Sequence, residues 1–177
     1  MKMNVILKSI VLFSLMILIT SSCSFMKTKS DYKNDIQHSK QIGNNYINTG
    51  ELDKAKKVFL GIYVSNPNDA ETAYKLGVIN SRQGYLEKAE SYFLKTISLN
   101  SNYSKAYYNL GSIYSTKNCT LYNLGHAADN FKRYIFLEPL SDNRNRIEQW
   151  LTRNGQLKTK REIVHKKKYS PYKKGNY

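Results

Sequence analysis

Covalent catalysis needs nucleophiles, acids and bases gathered in one place, and the side chains able to serve are scattered through this chain. His38, His126 and His165 fall in different segments, without cysteine or acidic companions at metal-ligand spacing. There is no phosphate-cradling glycine loop, no histidine pair at zinc spacing and no Gly-x-Ser-x-Gly turn. The expectation is therefore a protein that is not an enzyme and that takes no metal and no cofactor. What remains is non-covalent recognition. Lys40, Asn44, Asn48, Tyr74, Lys75, Arg82, Lys105, Tyr108, Asn109 and Ser112 supply cations for acidic groups and amides that can bond a peptide backbone lacking its own ladder. Whether they act together depends on the elements that carry them.

Those elements are marked by a period. Gly43, Gly77 and Gly111 stand 34 residues apart, and Gly50 with Gly84, Ala55 with Ala89, and Phe59 with Phe93 keep the same spacing. A fixed period of this size signals stacked helix-turn-helix units. The residues resemble the tetratricopeptide repeat family. Its aromatic-x-x-Leu-Gly-x-x-Tyr pattern reads here as Tyr107, Leu110, Gly111 and Tyr114, followed by Ala127, Phe131 and Pro139. An earlier copy reads Ile42, Gly43, Tyr46, Ala55, Phe59 and Pro67, and the middle one Leu76, Gly77, Ala89 and Phe93. The resemblance implies an all-α fold, an α-solenoid of three helix hairpins at 36–69, 70–103 and 104–141 plus a capping helix.

Within that register the glycines are expected to face Ala55, Ala89 and Ala127 so that paired helices nest, because a helical glycine costs about 1 kcal/mol relative to alanine and needs a reason. Gly50 and Gly84 fall at the turns, and Asp53 and Glu87 in the first turn of each second helix, where the helix dipole favours negative charge. The third copy separates glycine from alanine by 16 residues rather than 12. The extra four make either a longer helix end or a loop across 115–125, the segment holding Cys119 and Tyr122. Ser141 or Asp142 is a candidate cap for a last helix that carries Ile147, Trp150 and Leu151 on one face and stops at Gly155.

The ten polar residues take their place from the same register, which sets them on the concave face made by the first helices. In this family that face generally holds an extended peptide or a partner's helix. Part of the set resembles the carboxylate clamp of chaperone-binding members. Lys40, Asn44 and Lys105 match it by position, while Lys75 stands where the family has Asn and Asn109 where it has Arg.

The compartment is read from the N-terminus. The 177 residues include 28 Lys plus Arg against 13 Asp plus Glu, a net charge of +15 that invites nucleic acid as a partner. Lys2 and Lys8, however, precede an apolar run from Ile10 to Ile19 and then Thr20, Ser21, Ser22 and Cys23, which is secretory signal grammar. The ending resembles a bacterial lipoprotein signal, which implies removal of 1–22, lipid such as palmitate on Cys23, and a protein of the bacterial envelope. Thr20 departs from that pattern, where leucine is usual; cleavage without lipid and an uncleaved anchor from about Val5 are the other readings. Residues 23–35 then form a lipidated start and polar tether, 36–141 the repeats, 142–155 the cap, and 156–177 a basic tail too poor in apolar residues to pack. The basic tail reads as a solvated end, a contact with anionic lipid headgroups or a contact with nucleic acid; export demotes the last, and no nucleic-acid partner is expected. The expected function is that of a membrane-anchored adaptor or assembly factor binding another envelope protein in the groove. The alternative is an accessory factor that holds anionic lipid or cell-wall polymer through tail and groove.

Overall fold

Two left-handed turns set the path of the chain. Gly50 (φ 81°) and Gly84 (φ 82°) adopt backbone angles that side chains with a Cβ rarely accept. Each reverses the chain between antiparallel helices while Glu51 N–H bonds Tyr46 C=O and Tyr85 N–H bonds Asn80 C=O, both at 2.9 Å. The structure, a computed structural model, describes residues 29–155. Those residues form α1 (Lys29–Thr49), α2 (Leu52–Ser65), α3 (Ala70–Arg82), α4 (Leu86–Leu99), α5 (Ser104–Tyr114), α6 (Leu124–Leu137) and α7 (Arg144–Arg153). They are three stacked hairpins, α1–α2, α3–α4 and α5–α6, closed by α7. No described helix is long and apolar enough to cross a membrane. The expected signal peptide, Cys23 and the basic tail lie outside the described residues.

The third hairpin turns without glycine. Asn123 N–H reaches Tyr114 C=O at 2.9 Å, the same bond that closes the other two turns, and the extra four residues loop out between Ser115 and Asn123. Asn123 then caps α6, its side chain accepting from His126 N–H at 3.0 Å. The loop folds back on the preceding hairpin, where Thr120 Oγ1 donates to Glu87 Oε1 at 2.5 Å and Leu121 packs against the core. Cys119 is half-buried within it.

The repeat glycines do a different job from the one expected. A Cβ on Gly43, Gly77 or Gly111 would lie 2.6 Å from the ring of Phe59, Phe93 or Phe131 respectively, and alanine is not among the nearest neighbours. Ala55, Ala89 and Ala127 are fully buried but sit one helical turn before the phenylalanines. The long side chain on that face reaches across to the partner helix, so each glycine makes room for a ring within its own hairpin.

Stacking explains the burial gradient along the solenoid. Leu76 and Leu110 are fully buried because the second helix of the preceding hairpin covers them, whereas Ile42, at the same repeat position, is 37% exposed. Around it His38 and Asn45 are also exposed, where later repeats bury apolar or small residues, so this end of the stack meets water through polar groups. At the other end Ile147 and Leu151 of α7 are buried, and the Trp150 ring meets Phe131 edge-on with centroids 5.1 Å apart.

Two expected boundaries change. The chain is already helical at Lys29, inside the stretch read as tether, because no Gly or Pro interrupts it and Asp31 lies in the first turn, where its charge suits the dipole. At α7 neither Ser141 nor Asp142 is the cap. Asn143 precedes the helix and is itself in helical conformation (φ −77°, ψ −13°), so its side chain makes no capping bond. Ser141 Oγ instead accepts from Asn143 N–H at 3.2 Å and bonds Tyr134 Oη at 2.5 Å, holding the approach to the helix.

Candidate functional site: the concave face of the first helices

Because α1, α3 and α5 repeat at 34-residue intervals, residues at matching positions come side by side on one surface. Several of the polar residues placed there by register tie the helices to one another. Lys40 Nζ of α1 lies 2.6 Å from Asp69 Oδ2 and 2.7 Å from Glu71 Oε2 at the start of α3. Arg82 reaches back from α3 to Ile47 C=O at 2.9 Å. Asn109 Nδ2 of α5 donates to Tyr74 Oη of α3 at 3.3 Å and to Lys105 C=O at 2.8 Å. Tyr108 Oη accepts from Arg146 Nη2 of α7 at 3.0 Å. Ser112 Oγ folds back onto Tyr108 C=O. An aromatic floor lies beneath, with Tyr74 and Tyr103 centroids 4.8 Å apart and Tyr108 5.2 Å from Tyr134.

The charges divide into a satisfied group and an unsatisfied one. Burial alone would push the Asp69 carboxyl up, but hydrogen bonds from Lys40 and Thr72 outweigh it and hold the group below its ordinary value. Burial likewise opposes the Lys40 charge, and Asp69 and Glu71 more than restore it. Lys75 has no such relief. Burial lowers its pKa first, Glu71 one turn earlier opposes that, and Lys105, Lys40 and Arg82 add repulsion, leaving the ammonium destabilised. No hydrogen bond or ion pair to a described residue engages the side-chain ammonium of Lys75 or of Lys105, the bond from Asn109 going to the Lys105 backbone. Asn48 is exposed, and Asn44 is half-buried with Oδ1 sealed from solvent and unbonded.

The set that resembles a carboxylate clamp is therefore not uniformly open. Two of the chain's own carboxylates already hold its first lysine, and the cationic character left to a ligand centres on Lys75 and Lys105. Sequence reasoning missed Asp69, Glu71, Tyr103 and Arg146. Asp69 carried a signal, since it directly precedes α3 and caps it by accepting from Glu71 N–H. Arg146 carried none, because its reach to Tyr108 follows from how α7 docks. Among the described residues no group of three or more His, Cys, Asp or Glu is placed to hold a metal ion.

Residues 70–103, the α3–α4 hairpin, match the family model described as tetratricopeptide repeat. No curated protein matches the chain. Among solved structures, the first such domain of Spaghetti, bound to the Hsp90 peptide SRMEEVD, is 24% identical with a TM-score of 0.57, over 66% of this chain and 93% of that one. The Arabidopsis OM64 domain is 19% identical with a TM-score of 0.61, over 67% and 95%. The Yersinia enterocolitica type III secretion translocator chaperone SycD is 14% identical with a TM-score of 0.59, over 69% and 91%. At these identities the likeness is one of fold, the all-α tetratricopeptide-repeat solenoid.

Proposed function

We propose that the chain is a partner-binding adaptor or assembly factor of the bacterial envelope, exported, anchored to the membrane through lipid on Cys23, and receiving a peptide or helix of another envelope protein in its concave groove. The observation that carries the binding half is the pair Lys75 and Lys105. Lys75 is partly buried, repelled by three neighbouring cations and bonded to nothing described, so an acidic side chain or terminal carboxylate of a partner would relieve it. A charge-assisted hydrogen bond of that kind is roughly twice as strong as a neutral one. The Spaghetti domain holds a peptide whose sequence, SRMEEVD, is rich in acidic residues; the present groove differs in presenting Lys75 and Lys105 with Lys40 already paired. Anchoring is supported by the sequence alone, through the apolar run from Ile10 to Ile19 and the small residues before Cys23.

Each half has its own test. Crosslinked membranes should yield a reproducible partner with the wild-type chain, and Lys75→Glu with Lys105→Glu should weaken its capture by about tenfold or more, a loss of about 1.4 kcal/mol. Undiminished capture by the double variant removes the groove from the account. For anchoring, globomycin-sensitive lipid labelling should disappear in Cys23→Ala, and labelling that persists in that variant refutes lipidation.

A further inference from the structure

We propose that the edge of the solenoid where successive hairpins join lies against the membrane surface, so that the lipid bilayer is a second, non-covalent contact of the folded domain. The inference rests on anchoring at Cys23 and adds an orientation to it.

Three of the most exposed apolar side chains among the described residues are Leu140 (97%), Val64 (82%) and Phe136 (73%). They do not scatter. Val64 is in the last turn of α2, Phe136 in the last turn of α6, and Leu140 in the connection after it. Paired helices are antiparallel, so the ends of α2, α4 and α6 and the beginnings of α1, α3 and α5 share one edge. Tyr32, 46% exposed in the first turns of α1, belongs to it as well. The opposite edge, with the turns at Gly50 and Gly84 and the 115–123 loop, carries the partly exposed rings of Tyr85 and Tyr122; Lys56 and Lys88 lie over Tyr85 at 5.0 and 5.5 Å, as Arg133 lies over Phe136 at 5.2 Å.

The path of the chain names the occupant. Cys23 precedes Lys29, the first described residue, by six positions, and an extended chain spans at most about 3.3–3.6 Å per residue. A lipid on Cys23 therefore keeps the start of α1 within about 20 Å of the bilayer, and the start of α1 is at this edge. The edge is formed by helix ends and the connections between hairpins. Separate side chains can enter an interface without a matching pocket, whereas a protein partner needs about 1,000 Å² or more of complementary surface. Exposed Lys132, one turn before Phe136, can reach headgroups as its neighbour enters. In this pose α1, α3 and α5 stand upright on the bilayer and the groove opens along the membrane plane.

Tryptophan emission with lipids brominated in the acyl chains tests the orientation. The full chain is reconstituted in vesicles of phosphatidylethanolamine and phosphatidylglycerol, with Leu140→Trp or, as a control at the far edge, Tyr85→Trp, each in a Trp150→Phe background. Emission from Leu140→Trp should shift to the blue and lose intensity on bromination, while that from Tyr85→Trp should not change. Phe136→Trp repeats the measurement at a second site on the edge, and helix content by circular dichroism establishes that each variant folds. Chains that float with the vesicles but show no quenching at Leu140→Trp or Phe136→Trp, or equal quenching at Tyr85→Trp, overturn the orientation and leave the anchor standing. Chains that fail to float overturn both.

Discussion

Alanine substitution at two mid-helix glycines should change stability in opposite directions. Replacing either glycine removes a helix-propensity penalty of about 1 kcal/mol. At Gly61, in α2, a new Cβ meets nothing within 4 Å, so Gly61→Ala should stabilise by most of that amount. At Gly77 the Cβ would fall 2.6, 2.7 and 3.0 Å from Cε1, Cδ1 and Cζ of Phe93. That ring is fully buried in one cluster with Ala89, Ala106 and Leu110 and is backed by Tyr74 at 5.8 Å, so it has nowhere to withdraw. Overpacking of a filled core costs about 1–3 kcal/mol, and with no yielding neighbour the upper part of the range applies. Net of the propensity gain, Gly77→Ala should lose about 1–2 kcal/mol. Urea unfolding followed by circular dichroism measures both. Trimming the ring in Gly77→Ala/Phe93→Leu should cost less than the two single changes added together, a coupling of about 0.5 kcal/mol or more. A Gly77→Ala chain as stable as wild type, or strict additivity, would refute glycine as the space into which the ring fits.

Two further outcomes follow from the ties between helices. Asp69 is held below its ordinary carboxylate value of 3.8, so its stabilisation is complete above that pH and is lost as pH falls through the lower folded value. Asp69→Asn should therefore cost about 1–2 kcal/mol at neutral pH and nothing once both chains are acidified below that value; a pH-independent difference in urea midpoint would contradict the pairing with Lys40. Replacing Leu151, fully buried on the inner face of α7, by alanine should cost about 2–5 kcal/mol. In a stack where each unit contacts its neighbours, hydrogen exchange should rise in α6 and α7 before α1 and α2, and a uniform rise across all helices would count against the cap.

What was legible in the sequence followed from periodicity. The 34-residue spacing of Gly43, Gly77 and Gly111 placed the hairpins, Gly50 and Gly84 marked the two left-handed turns, and Ile147 with Leu151 announced the cap. Distances across helices were not legible. Gly77 and Ala89 occupy small-residue columns, and a pattern cannot say that the ring of Phe93 reaches the glycine first. Lys40 looked free because Asp69 and Glu71 belong to the next repeat, in columns whose residue type is not kept; the counterpart of Asp69 one period later is Tyr103. The start of α1 at Lys29 was hidden because its first turns are exposed and show no apolar stripe.

The claim that the groove is where a partner sits is tested most directly by photocrosslinking from inside living cells. A photoreactive phenylalanine derivative at Asn48 or Asn109, on the concave face, should form a discrete adduct with one protein, and the same residue at Ser91, exposed on the outer face of α4, should not. An adduct of equal yield from Ser91, or one from Ser91 alone, would contradict the account.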